Sequence, residues 1–552
     1  KAEVDKWLGE GRLKPTVVTS EMKKDTCKMM LSTFCNTPRG ALLIVSYETA
    51  AIHVDLLKTH KYGLIVCDEA HRLKNPKTKL YDRLSMIDAK MRIMVTGTPI
   101  QNDLDEFYSL LNFAIPNCLG DRKAFDNKYG KPILRSRDKE CTDRELDVGQ
   151  KASAAFFALI KQIMLRRTNE VIAKYLPAKL DCCVFITLTG EQQEMYSKVV
   201  EEGRKKYDGS YSSAFQTVTT LKKIVNDPAL HLRAPPPKPP PPPAAPQPQP
   251  TMSLTSIEGF SDEPSGALAN PFAGAASSSS SSCATIEPPR EKVVVDPEEA
   301  VRLSGKLRVL ISLLTTTKRL MPNDRFVLIS NFTTTLDVFE GVLTKNGLPY
   351  KRLDGSMQPG KRQDCVDQFN NDPTFFAFLL SSKAGGCGIN LIGANRLVLF
   401  DPDWNPAVDQ QALARVWRSG QQKPCYVYRF FAVGSLEEVC YERQCSKEGL
   451  SNEIVDGDGE SRKFSNEELK SLFSPKFHCT SAFHERSGCQ CFKGPQPPPA
   501  DANGFQHLKA GSPLLTEQDP CLAACTATGL VTLAYTRVTN KEKGFARCEP
   551  CA

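Results

Sequence analysis

Short apolar runs alternate with helix-like stretches through the first hundred residues. Ala41 to Val45, Gly63 to Cys67 and Arg92 to Val95 each read as a buried strand. That rhythm predicts parallel strands joined by crossover helices, an α/β lobe over residues 1–104. From 105 to 233 the pattern turns helical: Leu104, Phe107, Tyr108 and Leu111 supply one apolar face and further apolar positions continue from Leu180. This stretch is expected to be a helical insertion attached to the first lobe. A second α/β rhythm over 299–450 places strands at Phe326 to Ser330, Tyr350 to Leu353, Phe376 to Leu380, Leu397 to Phe400 and Cys425 to Phe430.

Two segments break this periodicity. Residues 234–298 hold a long proline run, a Gln/Pro stretch and the serines Ser277 to Ser282. Such a composition cannot build a core, so a disordered insertion is expected, stiff in its Pro half and loose in its Ser half. A passive linker is its plain reading, and docking of the Pro half on aromatic-lined grooves the alternative. The residues 451–552 read as an irregular C-terminal extension containing Cys, His and Pro.

Composition narrows the class. The 552 residues, 41% of them hydrophobic, suffice for at least two sizeable cores. The excess of 71 Lys+Arg over 63 Asp+Glu, a net +8, suits a polyanionic partner but is common elsewhere. Twenty cysteines in a long, core-rich chain are expected to be mostly reduced, intracellular thiols. No apolar run approaches the roughly 20 residues that cross a bilayer, which argues against a membrane-spanning role.

Four strings carry candidate chemistry. In Tyr62-Gly-Leu-Ile-Val-Cys-Asp-Glu-Ala-His71 an apolar strand ends in two carboxylates, at the edge of a parallel sheet where ligands bind. There Asp68 can hold Mg²⁺ through water and Glu69 can orient or deprotonate an attacking water. Val95-Thr96-Gly97-Thr98-Pro-Ile-Gln-Asn102 is another strand ending in a small-residue turn, placed to sense the carboxylates. In Ser381-Ser382-Lys383-Ala-Gly-Gly386-Cys-Gly388 the glycines let backbone N–H groups approach a phosphate. Gln411-Ala-Leu-Ala-Arg415-Val-Trp-Arg418-Ser-Gly-Gln421 spaces two arginines for one helical face, aimed at a single polyphosphate. Each string alone has an ordinary structural reading. Their occurrence together and in order favours a nucleotide held between two lobes.

These residues resemble the helicase-like ATPases of the Swi/Snf type, within superfamily two, over roughly residues 1 to 475 apart from the insertion. Asp68-Glu-Ala-His-Arg-Leu-Lys-Asn75, Thr98-Pro-Ile-Gln-Asn102, Leu353-Asp-Gly355 and Asp401-Pro-Asp-Trp-Asn-Pro406 look like that family's signatures. Phe326 to Glu340, Leu165-Arg-Arg-Thr168 and Lys174-Tyr-Leu-Pro177 look closest to the eukaryotic homologous-recombination DNA translocases that assist the strand-exchange recombinase. A chromatin remodeller is the nearest rival, and a DNA-binding scaffold without hydrolysis the rival from another class.

The resemblance implies two RecA-like lobes and ATP and Mg²⁺ as cofactors. It implies walking on double-stranded DNA, the recombinase filament and, beyond it, chromatin as partners, and a nuclear location. By this likeness Asp68, Glu69, Arg415 and Arg418 are catalytic; His71, Gly386, Gly388, Gln411 and Gln421 touch the nucleotide. Thr96, Gly97 and Thr98 couple the lobes, while Ser46, Lys74, Asn75, Ser382, Lys383, Asn395 and Trp404 contact DNA. Two departures stand out: Ala70 occupies the position where this branch usually has Gly, and no Gly-x-x-x-x-Gly-Lys-Ser/Thr string occurs between Lys1 and Ala552. The expectation is a chain cut after its phosphate-cradling loop and, as given, hydrolysing little or no ATP. In the tail, Cys479, Cys489, Cys491 and His507 are candidate ligands of a structural Zn²⁺, though their spacing fits no standard finger.

Overall fold

The computed structural model describes residues 2–19, 22–37, 42–97, 104–136, 141–167, 170–206, 211–232, 296–385, 388–445, 474–486, 489, 491, 500–501 and 504–540. Of the expected 234–298 insertion, residues 234–295 lie outside the described residues, while Pro297 and Glu298 begin the Pro297–Leu303 helix. No described helix is long and apolar enough to cross a membrane.

The first α/β unit carries two parallel pairs. β1 (Thr16–Val18) lies beside β2 (Leu43–Val45), and β3 (Tyr62–Cys67) beside β4 (Ala89–Met94). Leu31, Val54, Leu57, Cys67, Ala70 and Leu73 close its core. These strands are less covered than the apolar runs suggest: Leu64, Val66, Met91 and Ile93 are exposed. One face of the β3–β4 pair packs inward and the other is open.

The larger unit is an eight-stranded sheet. Its strands are β5 (Lys179–Ile186), β6 (Phe326–Ser330), β7 (Tyr350–Leu353), β8 (Ala377–Ser381), β9 (Arg396–Leu399), β10 (Cys425–Ala432), β11 (Gln506–Lys509) and β12 (Val531–Thr539). Across the sheet they stand in the order β11-β12-β5-β10-β9-β6-β8-β7. The pairs from β5 to β7 are parallel; β12 joins β5, and β11 joins β12, antiparallel. β6, β8, β9 and β10 are buried at every position, as strands covered on both faces must be. The fold is thus mixed α/β around a largely parallel sheet.

Two expectations change. The helical stretch after residue 105 contains β5, which pairs with β10 along its whole length. Its sequence Lys-Leu-Asp-Cys-Cys-Val-Phe-Ile is apolar except for Lys179 and Asp181, and that buried acid is held by Lys179 at 3.0 Å and Arg537 at 3.3 Å. Residues 179–186 therefore belong to the second sheet, not to the first lobe. The C-terminal extension is also more regular than its composition suggests, since β11 and β12 extend the same sheet. Its Pro520–Cys525 helix shares a core with the Gly305–Leu320 helix. Arg396 of β9 is fully buried and pairs with Asp324 at 2.7 Å and with Asp519 at 3.3 Å, while the Tyr428 hydroxyl donates to Asp519 at 2.5 Å. A buried guanidinium met by two carboxylates fixes the tail to the sheet.

Candidate functional site

The Asp68–His71 string sits where β3 ends. The Val95 N–H donates to the Cys67 carbonyl at 2.8 Å and the Ala70 N–H to the Val95 carbonyl at 2.9 Å, so the carboxylate turn is stitched to the turn carrying Thr96 and Gly97. Thr98 lies outside the described residues. The Tyr47 hydroxyl donates to the Asp68 carbonyl at 2.7 Å, and Asp68 Oδ1 accepts the Glu69 N–H at 2.9 Å. Glu69 adopts φ 49°, ψ 47°. For a residue with a side chain that left-handed conformation costs roughly 1–2 kcal/mol, strain of the kind found at functional turns. Ala70 is fully buried with its methyl in the core, so the departure from Gly leaves both carboxylates in place.

Glu69 Oε2 lies 3.3 Å from His71 Nδ1. The proximity suggests an ion pair, yet both atoms are buried and neither has a hydrogen-bond partner among the described residues. The contact is close enough for electrostatic attraction but is not a hydrogen bond. Burial also lowers the His71 pKa below the ordinary imidazole value, with Glu69 pulling the other way. Apart from each other, these two buried atoms meet no hydrogen-bonding partner among the described residues.

The neighbouring candidates differ. Ser46 caps the Tyr47–Ile52 helix, accepting the Thr49 N–H at 3.2 Å and donating to Thr49 Oγ1 at 2.9 Å. Lys74 pairs with Glu106 at 2.9 Å. Asn75 is exposed, its Oδ1 accepting the Lys77 N–H at 3.0 Å.

In the second unit Ser382 comes directly after β8 and opens the short Ser382–Gly385 helix. It is buried, and its hydroxyl has no partner among the described residues. The Lys383 side chain and Gly386 lie outside them. Gly388 has φ 64°, the left-handed region glycine adopts without strain, and open space where a Cβ would stand. The next segment is bound to the arginines: Arg418 Nη1 donates to the Ile389 carbonyl at 3.0 Å and the Leu391 N–H to the Arg415 carbonyl at 3.1 Å.

One expectation is corrected here. Arg415 and Arg418 do not share a helical face, because the Pro406–Leu413 helix ends before them and residues 414–420 form turns; only Gln411, half-buried, is on it. Gln421 is committed internally. Its Nε2 donates to the Ala394 carbonyl at 2.7 Å and the Val416 carbonyl at 3.2 Å, and its Oε1 accepts the Gln422 and Lys423 N–H groups at 3.0 Å each. Asn395, 2% exposed, is likewise used up: Nδ2 donates to Asp324 Oδ1 at 2.8 Å and Oδ1 accepts the Arg325 N–H at 3.2 Å. Both amides are hydrogen-bonded within the chain. Trp404 is half-buried against the core cluster that contains Leu188, Tyr196 and Leu436, with the Lys222 ammonium 5.1 Å from its ring centroid.

Comparison with known proteins assigns the arrangement. Residues 1–230 match the SNF2-related domain and residues 305–420 the helicase conserved C-terminal domain. The Homo sapiens "DNA repair and recombination protein RAD54-like" is 37% identical over 98% of this chain and 69% of its own length. The chain belongs to the RAD54-like family.

Other members are as similar. The Schizosaccharomyces pombe "DNA repair protein rhp54" is 39% identical over 90% of this chain and 54% of its own length, and the Danio rerio RAD54-like protein 38% over 91% and 64%. The chain thus spans between about half and two thirds of the length of these RAD54-like relatives. A solved Sulfolobus solfataricus SWI2/SNF2 ATPase core in complex with dsDNA aligns at 23% identity over 86% of this chain and 83% of that one, with a TM-score of 0.36, too low to add to the sequence matches.

The RAD54-like tail holds a second cluster. His484, Cys489, Cys491 and His507 bring one ligand atom each to within 4.8 Å of one another. His484 Nε2 lies 3.0 Å from Cys491 Sγ, and Cys489 Sγ 3.4 Å from His507 Nδ1. His507 Nε2 faces Asp501 Oδ2 at 3.2 Å, which leaves Nδ1 for the cluster, and the Tyr535 ring stacks on the imidazole at 3.9 Å. Cys479 is not among them, since its thiol donates to the Lys476 carbonyl at 2.9 Å. His484 takes its place. The spacing His484-x4-Cys489-x-Cys491 was the available signal, weak because it matches no common finger.

Proposed function

We propose that the full-length protein is a DNA-dependent ATPase that translocates on double-stranded DNA in homologous-recombination repair, remodelling protein–DNA complexes and recombination intermediates together with the strand-exchange recombinase filament, in the nucleus. The SNF2-related and helicase C-terminal matches support hydrolysis coupled to DNA, and the repair and recombination names of the relatives support the pathway. The observation that carries the reading is Glu69 Oε2 and His71 Nδ1, buried atoms 3.3 Å apart with no hydrogen bond among the described residues, on a strained turn at the end of a parallel strand.

In this reading Asp68 would hold Mg²⁺ through water, and the metal would supply charge neutralisation at the phosphates when bound. Glu69 orients the attacking water. His71, kept neutral by burial, offers Nδ1 to a polar group brought by the nucleotide. Arg415 and Arg418, held against the segment after Gly388, meet charge developing on the γ-phosphoryl group. Asn75, Ser382 and Lys383 take DNA phosphates, so binding falls with salt and ignores base sequence. The His484, Cys489, Cys491 and His507 set suits Zn²⁺, two thiolates and two imidazoles being a common structural donor set.

Glu69→Gln keeps size and removes the charge. In the full-length protein it is expected to lower DNA-stimulated ATP hydrolysis roughly 10²–10⁴-fold with little change in DNA affinity. Unchanged turnover refutes the assignment.

A further inference from the structure

Between β9 and the Pro406–Leu413 helix runs Phe400-Asp-Pro-Asp403, and each of its successive carbonyls is taken by a side chain from elsewhere. Lys306 Nζ, from the Gly305–Leu320 helix, donates to the Phe400 carbonyl at 2.8 Å. Asn331 Nδ2, just after β6, donates to the Asp401 carbonyl at 3.1 Å, and the Asn331 N–H to Asp401 Oδ2 at 3.0 Å. Lys222 Nζ, from the Tyr211–Asn226 helix, donates to the Pro402 carbonyl at 2.8 Å. The Asp403 carbonyl accepts Gln444 Nε2 at 2.6 Å and Cys440 Sγ at 3.1 Å, both from the helix over residues 436–445.

An irregular segment ordinarily leaves such carbonyls to water. Here they are met by two buried ammonium groups and two amides, groups that are costly to desolvate. A loop held this way also sets the helix that begins at Pro406. Asp409, on the first turns of the helix, accepts the Asp403 N–H and, at 2.6 Å, Gln444 Nε2, while Asn405 caps the helix by accepting the Ala407 N–H at 3.2 Å. The helix runs straight into the Arg415 turn, whose far end is pinned by Gln421. The arginine turn is therefore anchored on both sides.

We propose that Lys222 and Gln444 are positioning residues for hydrolysis: by holding the carbonyls of residues 402 and 403 they set the Pro406–Leu413 helix, and through it Arg415, against the nucleotide. They lie in separate chain segments flanking the 305–420 match, so the clamp makes both flanks part of the working site. This rests on the ATPase reading above.

A double-mutant cycle on the full-length protein separates positioning from simple stability. Lys222→Met is expected to lower the kcat of DNA-stimulated hydrolysis roughly tenfold with KM for ATP within about twofold, and to change kcat by less than about twofold once Arg415→Ala is present. Gln444→Met should repeat the pattern, and thermal melts report whether each variant folds. Equal losses in both backgrounds overturn the proposal, as does failure of both variants to fold, which would assign the clamp to stability alone. If Arg415→Ala keeps full turnover while Glu69→Gln abolishes it, positioning falls and the ATPase reading stands. If Glu69→Gln is also without effect, both fall.

Discussion

Replacing Lys306 by Met removes a cation from a place water does not reach. Its ammonium sits 2.6 Å from Glu437 Oε1, and both side chains are fully buried. Glu437 Oε2 also accepts the Ala432 N–H at 2.9 Å, so the carboxylate is held from two sides. Burial pulls the Lys306 pKa down and the Glu437 pKa up, each against the partner's opposite pull. Losing one member of such a pair leaves an uncompensated buried charge and costs roughly 3–5 kcal/mol, a large share of the roughly 5–15 kcal/mol that holds a domain together. Lys306→Met with Glu437→Gln removes the stranded charge and keeps an acceptor for the Ala432 N–H. The remaining loss is chiefly the donor to the Phe400 carbonyl, roughly 1–3 kcal/mol. The double variant should therefore be more stable than the single one. Urea unfolding tracked by the fluorescence of Trp404 and Trp417 reads both, the midpoint moving at constant slope. A single variant within about 1 kcal/mol of wild type, or a double variant worse than the single, would refute the reasoning.

Asp409 provides a pH test. Burial, with Asp403 adding to it and Gln444 opposing it, raises its pKa to about 8. A carboxyl whose folded pKa exceeds its unfolded value binds more protons when folded, so its contribution to stability declines as pH rises from about 4 to about 8. Asp409→Asn should become progressively more stable relative to wild type across that window in melts, and a constant difference would show that Asp409 does not titrate there. Purified protein should carry stoichiometric zinc by atomic absorption; His484→Ala should lose it and Cys479→Ala retain it, whereas retention by both or loss in Cys479→Ala contradicts the donor set. Asn395→Ala should lower stability by roughly 1–3 kcal/mol through unpaired buried groups while the folded protein keeps its affinity for duplex DNA. A loss of affinity in a fully stable variant would restore Asn395 to the DNA surface.

The strands of the larger sheet were legible where an apolar run stands apart from helical pattern. Phe326–Ser330 and Tyr350–Leu353 fall where the apolar runs place them, and the other strands shift by a few residues. β5 was hidden because it lies among helices and carries a buried acid, Asp181, met by Lys179 two residues before it and by Arg537 356 residues away. The tail failed similarly, since β11 and β12 are mixed in polarity and stabilised by an edge the tail does not contain. The metal ligands were legible as residue types, but which cysteine turns toward the cluster depends on local backbone geometry.

The site residues divide along a line the sequence does not draw. Asn395, Gln421 and Ser46 are polar residues beside motifs, and so are Glu69, His71 and Ser382. In the first group the side chain replaces a missing main-chain partner, accepting N–H groups or donating to carbonyls that irregular backbone would otherwise leave bare. In the second, a buried polar atom has no partner among the described residues. Burial without satisfaction costs roughly 1–3 kcal/mol per group, a cost that a ligand can relieve but that structural residues such as Arg396 and Thr317 also carry. Glu69 stands just past β3 and Ser382 just past β8, so the cost recurs at the carboxyl end of a parallel strand in each unit. Unsatisfied atoms at corresponding strand ends therefore single out Glu69 and Ser382 as the positions where substitution tests ligand binding most directly.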